Sequence, residues 1–195
     1  MDPRIARLRR KLAQSPFNPH RSHSFGEEHH RLRPGPPLTE KKISAFEAEQ
    51  SIDLPDALRQ FLLHVAGSGA APFYGLIPLE DGSLYTMESR GYPGSPRGFV
   101  RARRGAAEGD LFLHIITMGC TDMCLIAVTG PLTGRVLIGN AEGHWGPNVS
   151  SAPDFLAWYE RWLDHMNAGK DNRALELTSP PLRSHPQRHR LVPVI

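Results

Sequence analysis

The chain has 195 residues, of which 39% are hydrophobic and 22% charged, so it is able to bury a core and is not disordered throughout. No apolar run approaches the roughly 20 residues that cross a bilayer, and residues 1–12 lack the apolar stretch of a secretory signal. The 18 glycines and 18 prolines predict a loop-rich α+β protein and exclude a simple helical bundle.

The net charge of +3 is unevenly distributed along the chain. Residues 1–42 carry ten Lys/Arg against four Asp/Glu, residues 43–170 carry nine against fourteen, and residues 171–195 carry four against two. The predicted folded body is therefore acidic, with basic ends. A nucleic-acid binder usually concentrates basic charge on its folded face, so this distribution favours a basic protein partner and no direct contact with nucleic acid.

The chain opens with a short amphipathic helix over residues 4–12. Ile5, Leu8 and Leu12 fall on one face at spacings of three and four, and basic residues surround them. We expect this helix to pack back on the body. The alternative, an arm that binds a membrane surface or nucleic acid, has only three apolar residues to support it.

A connector rich in proline and histidine is predicted over residues 13–37, because the stretch has few apolar side chains. Imidazoles bind metals, but a good site needs three or four converging ligands, and no Cys pair or spaced carboxylates accompany these. A solvated linker is the favoured interpretation, with a metal site as the alternative. The histidines concerned are His20, His23, His29 and His30.

Two helices follow. Thr39 is a suitable N-cap for the first, and Pro55 and Asp56 suit the first turn of the second. Apolar residues at the helical period then run from Leu58 to Val65, and Gly67 is a natural stop.

The pattern then changes to strands. Short apolar runs predict strands over residues 73–79, 83–87, 111–117, 123–129 and 135–138, and residues 88–110 are predicted to be a long loop or an insertion with a small helix. A last helix is predicted to begin at a capping box of Ser151 and Asp154 and to end at Gly169. Its aromatic face is formed by Phe155, Trp158, Tyr159 and Trp162.

This order predicts a single α+β domain with a mainly antiparallel sheet of about five to six strands, covered by helices on one side. We divide the chain into an N-terminal helix and connector (1–37), the α+β domain (38–169) and a Pro-rich basic tail (170–195).

Sequence motifs for catalysis are not found. The chain lacks a nucleophile elbow, a phosphate-binding loop and a dinucleotide fingerprint. Cys120 and Cys124 cannot close a zinc site by themselves and are interpreted as reduced structural thiols. Carboxylate pairs such as Glu80 and Asp81 are interpreted as solvated surface. The basic residues 101–104 are interpreted as an exposed loop tip, with phosphate binding as the alternative. No enzyme activity, cofactor or metal is expected.

An ordered set of segments resembles the SUKH superfamily, the Smi/Knr-type domain. The set begins with Phe46-Glu47, the run Ile52-Asp53-Leu54-Pro55-Asp56-Ala57-Leu58-Arg59-Gln60-Phe61-Leu62, and Gly67-Ser68-Gly69. It continues with Tyr74-Gly75-Leu76-Ile77-Pro78-Leu79, His114-Ile115-Ile116 through Gly119-Cys120, Leu125-Ile126-Ala127-Val128, Gly130-Pro131, Gly134-Arg135-Val136 and the helical stretch from Ser151 to Leu163. The resemblance covers about residues 38–166.

The resemblance implies a curved sheet flanked by helices and a function in binding proteins. Bacterial members of the superfamily are frequently immunity proteins that neutralise toxins, often nucleases, of polymorphic toxin systems, and fungal members regulate cell-wall assembly. We therefore expect a cytoplasmic immunity protein whose partner is a toxin, possibly a basic nuclease. The alternatives are a regulatory scaffold without a toxin and an enzyme of unknown type. Candidate partner-binding residues at predicted strand ends and loops are Tyr74, Glu80, Asp81, Glu142, His144 and Trp145.

Overall fold

The computed structural model describes residues 1–89, 97–102, 109–144 and 147–170. These residues form five helices: α1 (Arg4–Gln14), α2 (Glu27–His30), α3 (Glu40–Gln50), α4 (Asp56–His64) and α5 (Phe155–Asn167). Single 3-10 turns lie at Ser15–Phe17 and Leu79–Asp81. Within this described part, no helix is long and apolar enough to cross a membrane.

Six strands form one antiparallel sheet in the order β2-β1-β3-β4-β5-β6. The strands are β1 (Leu84–Ser89), β2 (Arg97–Arg101), β3 (Phe112–Gly119), β4 (Asp122–Ala127), β5 (Val136–Asn140) and β6 (Asn148–Val149). The predicted fold class, a single α+β domain with a mainly antiparallel curved sheet of five to six strands flanked by helices, is confirmed.

Both faces of the sheet are buried. Along β4, Cys124 and Ile126 point into the main core beneath the helices, while Met123, Leu125 and Ala127 point into a second, smaller core. Phe99 of β2 and Leu137 of β5 belong to that second core. The sheet therefore curls around its own second face, which explains why β4 is a continuous apolar run.

The helices close over the main core. In α5, Phe155, Tyr159 and Trp162 are fully buried, as their helical spacing predicts. Phe61 of α4 packs against both Phe155 and Tyr159, with ring centroids 5.1 and 4.6 Å apart. Each large side chain buried in this way contributes about 1.5–3 kcal/mol to stability, so α5 is a main source of the core.

The helix termini follow local sequence chemistry, with one correction. The Thr39 hydroxyl accepts a hydrogen bond from the Lys42 N–H, as the N-cap prediction requires. The predicted capping box at Ser151 is wrong, because Asp154 itself is the N-cap of α5 and accepts from the Ala157 N–H at 2.9 Å. The carboxylate of Asp154 reaches the free N–H groups of the first turn, so the helix begins three residues later than predicted.

The N-terminal segment is part of the folded body. Ile5, Leu8 and Leu12 of α1 are buried in the main core, so the expectation that this helix packs back is confirmed. Contrary to the prediction, residues 13–37 are not a solvated linker throughout, because His30 and Leu32 are buried. The backbone of this stretch continues along the body, where the Ala70 N–H donates to the Arg33 carbonyl at 3.0 Å.

One strand prediction and one loop prediction are wrong. Residues 73–79 form no strand, only isolated bridges from Leu76 to Gly69 and Ile116, because Gly75 has a φ of +89° and Pro78 lacks an N–H. Residues 88–110 were expected to contain no strand, yet β1 extends to Ser89 and pairs with β2. Residues 90–96 and 103–108 of that stretch lie outside the described part.

Candidate functional site

Three aromatic rings meet beside the end of β3. The ring of Tyr74 makes edge-on contacts with Phe25, at 5.4 Å between centroids, and with His29, at 4.6 Å. Gly119, the last residue of β3, lies against the same tyrosine ring. Phe25 is 62% exposed and Tyr74 partly exposed, so an apolar patch faces solvent. Large aromatic side chains exposed together in this way are typical of protein-binding surfaces.

A largely buried ion pair holds the segment that carries Phe25 and His29. The guanidinium of Arg21 donates to both carboxylate oxygens of Glu27, at 2.7 and 2.9 Å, and the Ser24 N–H donates to the same carboxylate. Burial raises the pKa of Glu27, but these hydrogen bonds outweigh burial and leave the pKa below its ordinary value. The carboxylate therefore stays charged and fixes the approach to α2.

His30 lies behind the aromatic patch, and its hydrogen bonds define one tautomer of its ring. Its Nδ1 accepts a hydrogen bond from the Leu32 N–H at 3.1 Å, so the ring proton belongs on Nε2, which lies 3.3 Å from the Phe73 carbonyl. Burial lowers the pKa of His30 below its ordinary value, although the bond to Phe73 opposes this shift. A neutral His30 thus joins α2 to the backbone beside Tyr74.

On the other side of the β3–β4 hairpin, Asn140 organises a polar turn. Its buried amide donates to the Thr121 hydroxyl at 2.8 Å and to the Asp122 carboxylate at 2.6 Å, and its oxygen accepts the Glu142 N–H at 2.9 Å. The side chains of Glu142 and His144 are exposed and lie 2.9 Å apart at Oε2 and Nε2. A fully bonded asparagine makes this turn a rigid base for them.

These two groups flank one hairpin, so the structure brings three of the predicted residues to one end of the sheet. We call this region the hairpin-end surface and define it as Phe25, His29, Tyr74, Cys120, Glu142 and His144. The sequence pattern does not mark Phe25 and His29 as candidates for this surface, because they lie in a segment interpreted as a linker. Trp145, also predicted, lies outside the described residues.

Glu80 and Asp81 are not part of this surface. Both are exposed in the 3-10 turn Leu79–Asp81, which precedes β1 and lies beside α3 and the beginning of β3. A shallow cavity of about 450 Å³ there is lined by Glu80, Lys42 and Arg101 among others. Arg101 is the last residue of β2, and its guanidinium donates to the Ser83 hydroxyl at 2.9 Å, so it is not at a free loop tip. Arg103 and Arg104 lie outside the described part.

Part of the predicted acidic charge is already paired within the chain. Arg7 and Lys11 of α1 bind Glu160 of α5, and Lys11 also binds Asp164 at 2.6 Å. Hydrogen bonds from Arg7 and Lys11 lower the pKa of Glu160 to about 2. The basic N-terminal helix therefore neutralises the acidic face of α5, and the net charge of the body alone does not identify a partner.

The remaining candidates for chemistry are separated. Cys124 is buried, as a structural thiol should be, whereas Cys120 is exposed, and the two do not form a disulfide with each other. Within the described ranges, no three His, Cys, Asp or Glu side chains converge to hold a metal ion. Of the four connector histidines, His29 contacts Tyr74 and His30 is buried.

The fold and this surface define a class: a compact α+β domain whose curled antiparallel sheet presents exposed aromatic and polar groups at one end. The profile of the SMI1 / KNR4 family (SUKH-1) matches residues 37–161, which is more than half of the chain. The chain therefore belongs to the SMI1 / KNR4 family. Among curated proteins and among solved structures, none matches it.

Proposed function

We propose that this chain is a cytoplasmic immunity protein that binds a toxin, possibly a basic nuclease, and blocks it by contact without turning over a substrate. The observation that carries the proposal is the family match over residues 37–161, because this family includes immunity proteins and suggests protein–protein interaction in general. We propose the hairpin-end surface as the site of contact.

Three features of that surface support a role in binding. Phe25 and Tyr74 offer aromatic area, which contributes strongly to affinity when a partner excludes water from it. Glu142 adds an exposed carboxylate at the same end of the sheet, which favours a basic partner. The bonds of Glu27, His30 and Asn140 hold the supporting segments in place, so little ordering is required when a partner binds.

The experiment is co-expression of this chain with a toxin encoded beside its gene, using cell growth as the readout. Wild type is expected to restore growth, and Phe25→Ala, which removes a mostly exposed ring, is expected to weaken protection without unfolding the chain. Glu80→Ala is the matched control at the other end of β3 and should protect fully.

Two outcomes would oppose the proposal. Full protection by Phe25→Ala together with failure of Glu80→Ala would move the interface to the other end of the sheet. A stable complex with another protein and no protection from any neighbouring toxin would favour the alternative function, a regulatory scaffold.

A further inference from the structure

A groove between α1 and residues 31–37 is lined by basic side chains and, among the described residues, by no acidic one. Its volume is about 680 Å³, within the range of sites that take small ligands. Leu12 of α1, Leu32 and Val65 provide an apolar floor, and all three are more than 90% buried. Arg9, Arg31 and Arg33 stand around this floor with exposed side chains.

These arginines differ from the other basic residues of the N-terminal segment. Arg4, Arg7, Lys11 and Arg21 each bind a carboxylate of this chain. By contrast, across residues 1–89, 97–102, 109–144 and 147–170, no hydrogen bond or ion pair joins the side chain of Arg9, Arg31 or Arg33 to a carboxylate. No carboxylate of those ranges lines the groove either. Three guanidiniums thus share one concave surface without an internal counter-charge.

The wall of the groove is preformed. Residues 33–36 are fixed to the chain after α4, because the Gly35 N–H donates to the Ser68 carbonyl at 2.8 Å and the Gly67 N–H donates to the Pro36 carbonyl at 3.0 Å. Arg31 and Leu32 have positive φ angles of 50° and 54°. This left-handed pair buries Leu32 while both neighbouring arginines stay exposed. A rigid wall lowers the entropy that a ligand must lose on binding.

We propose that this groove binds a short acidic peptide segment of a partner protein, with an apolar side chain on the floor and carboxylates on Arg9, Arg31 and Arg33. Guanidiniums bind carboxylates in two-pronged geometry, which suits this arrangement. The chain's own C-terminal stretch does not fit, because residues 171–195 carry four Lys/Arg against two Asp/Glu. A nucleic acid fits less well, because the described lining of the groove contains no Phe, Tyr or Trp for base stacking. The site shares no residue with the hairpin-end surface and does not depend on a toxin partner.

The test is fluorescence anisotropy of the full chain with a labelled peptide, Glu-Glu-Leu-Phe-Glu-Glu, at low salt. Arg9→Glu and the double variant Arg31→Glu/Arg33→Glu are expected to weaken binding by at least about tenfold. Arg10→Glu is the matched control, since Arg10 is exposed on the same helix outside the groove lining, and it should change affinity by less than about twofold. Replacing Leu-Phe of the peptide with Ser-Ser should also weaken binding.

Four results would overturn the proposal. Binding weaker than about 1 mM would show that the groove does not take this ligand class. An equal loss of peptide affinity in Arg10→Glu would show that the overall charge of the chain, and not the groove, determines binding. Binding of oligothymidylate as tight as that of the peptide would assign the groove to nucleic acid. Dimerisation of the wild-type chain that Arg9→Glu abolishes would assign it to a second copy.

Discussion

Phe99 of β2 packs directly against the backbone of Gly139 of β5, although three strands separate β2 from β5 in the sheet order. A Cβ atom on Gly139 would lie 2.6 Å from Cε2 of the Phe99 ring. The contact exists because the sheet curls around its second core, to which Phe99 belongs. The Phe99 ring thus occupies the space that a side chain at position 139 would need.

Gly139→Ala is therefore expected to destabilise the fold by about 1–3 kcal/mol, because the added methyl overpacks the site. The free energy of unfolding from urea titration measures this cost. Combining Gly139→Ala with Phe99→Leu should cost less than the two single changes added together, since a smaller side chain relieves the overlap. Strict additivity of the two changes would contradict a direct contact.

Tyr159 anchors α5 to the loop after α4. Its hydroxyl donates to the Ala70 carbonyl at 2.5 Å in a fully buried site, and burial raises the pKa of Tyr159 far above its ordinary value of 10.0. Tyr159→Phe should lower the free energy of unfolding by about 1–3 kcal/mol, because the Ala70 carbonyl loses its partner. Tyr85→Phe, at a partly exposed ring, is the matched control and should change stability by less than about 0.5 kcal/mol.

The N-terminal helix lies outside the family match at residues 37–161 but inside the core. Leu8 is fully buried, so Leu8→Ala should cost about 2–5 kcal/mol and lower the thermal midpoint. Arg10→Ala on the exposed side of the same helix should be nearly neutral. A stable variant lacking residues 1–17 with an unchanged midpoint would show that the helix is dispensable.

His30 is buried and His114 is half-buried, and both predict a loss of stability in mild acid. Burial lowers the pKa of His30 and of His114 below the ordinary value of 6.5, so the unfolded chain binds these protons at a higher pH than the folded chain does. The contribution of these two histidines to the free energy of unfolding is fully present above pH 6.5. It is lost as the pH drops from 6.5 toward the pKa of the folded state, with a slope of at most about 1.4 kcal/mol per pH unit for each histidine.

Urea unfolding at several values between pH 5.5 and 7.5 measures this slope, in a range where carboxylates of ordinary pKa remain charged. His30→Gln should flatten it, because an amide does not titrate. A slope that is unchanged in His30→Gln would contradict the assignment of His30 as a neutral buried residue.

The regular parts of the fold are predictable from the sequence because their signals are local. The apolar period of α4 and α5, the Thr39 cap and the apolar runs of β3 and β4 each depend on residues within a few positions. The strand β2 is not predictable in this way, because Phe99 is its one large apolar side chain and is buried through contacts with residues distant in sequence, among them Phe112 of β3 and Gly139 of β5.

The candidate site is predictable only in part, for a similar reason. The sequence predicts Tyr74, Glu142 and His144 as polar or aromatic residues near strand ends, but their common location depends on the β3–β4 hairpin between them. The role of the connector was missed because the bonds of His30 and Glu27 are made with partners that the apolar pattern does not mark.

The most direct test of the central claim is a titration of toxin activity with the purified chain. A protein that acts by occupying a surface should inhibit in linear proportion to the amount added, with inhibition complete at about one chain per toxin molecule when binding is tight. Phe25→Ala should require more chain for the same inhibition. Time-dependent loss of all toxin activity at a small fraction of that ratio would contradict the account, because one chain would then inactivate many toxin molecules.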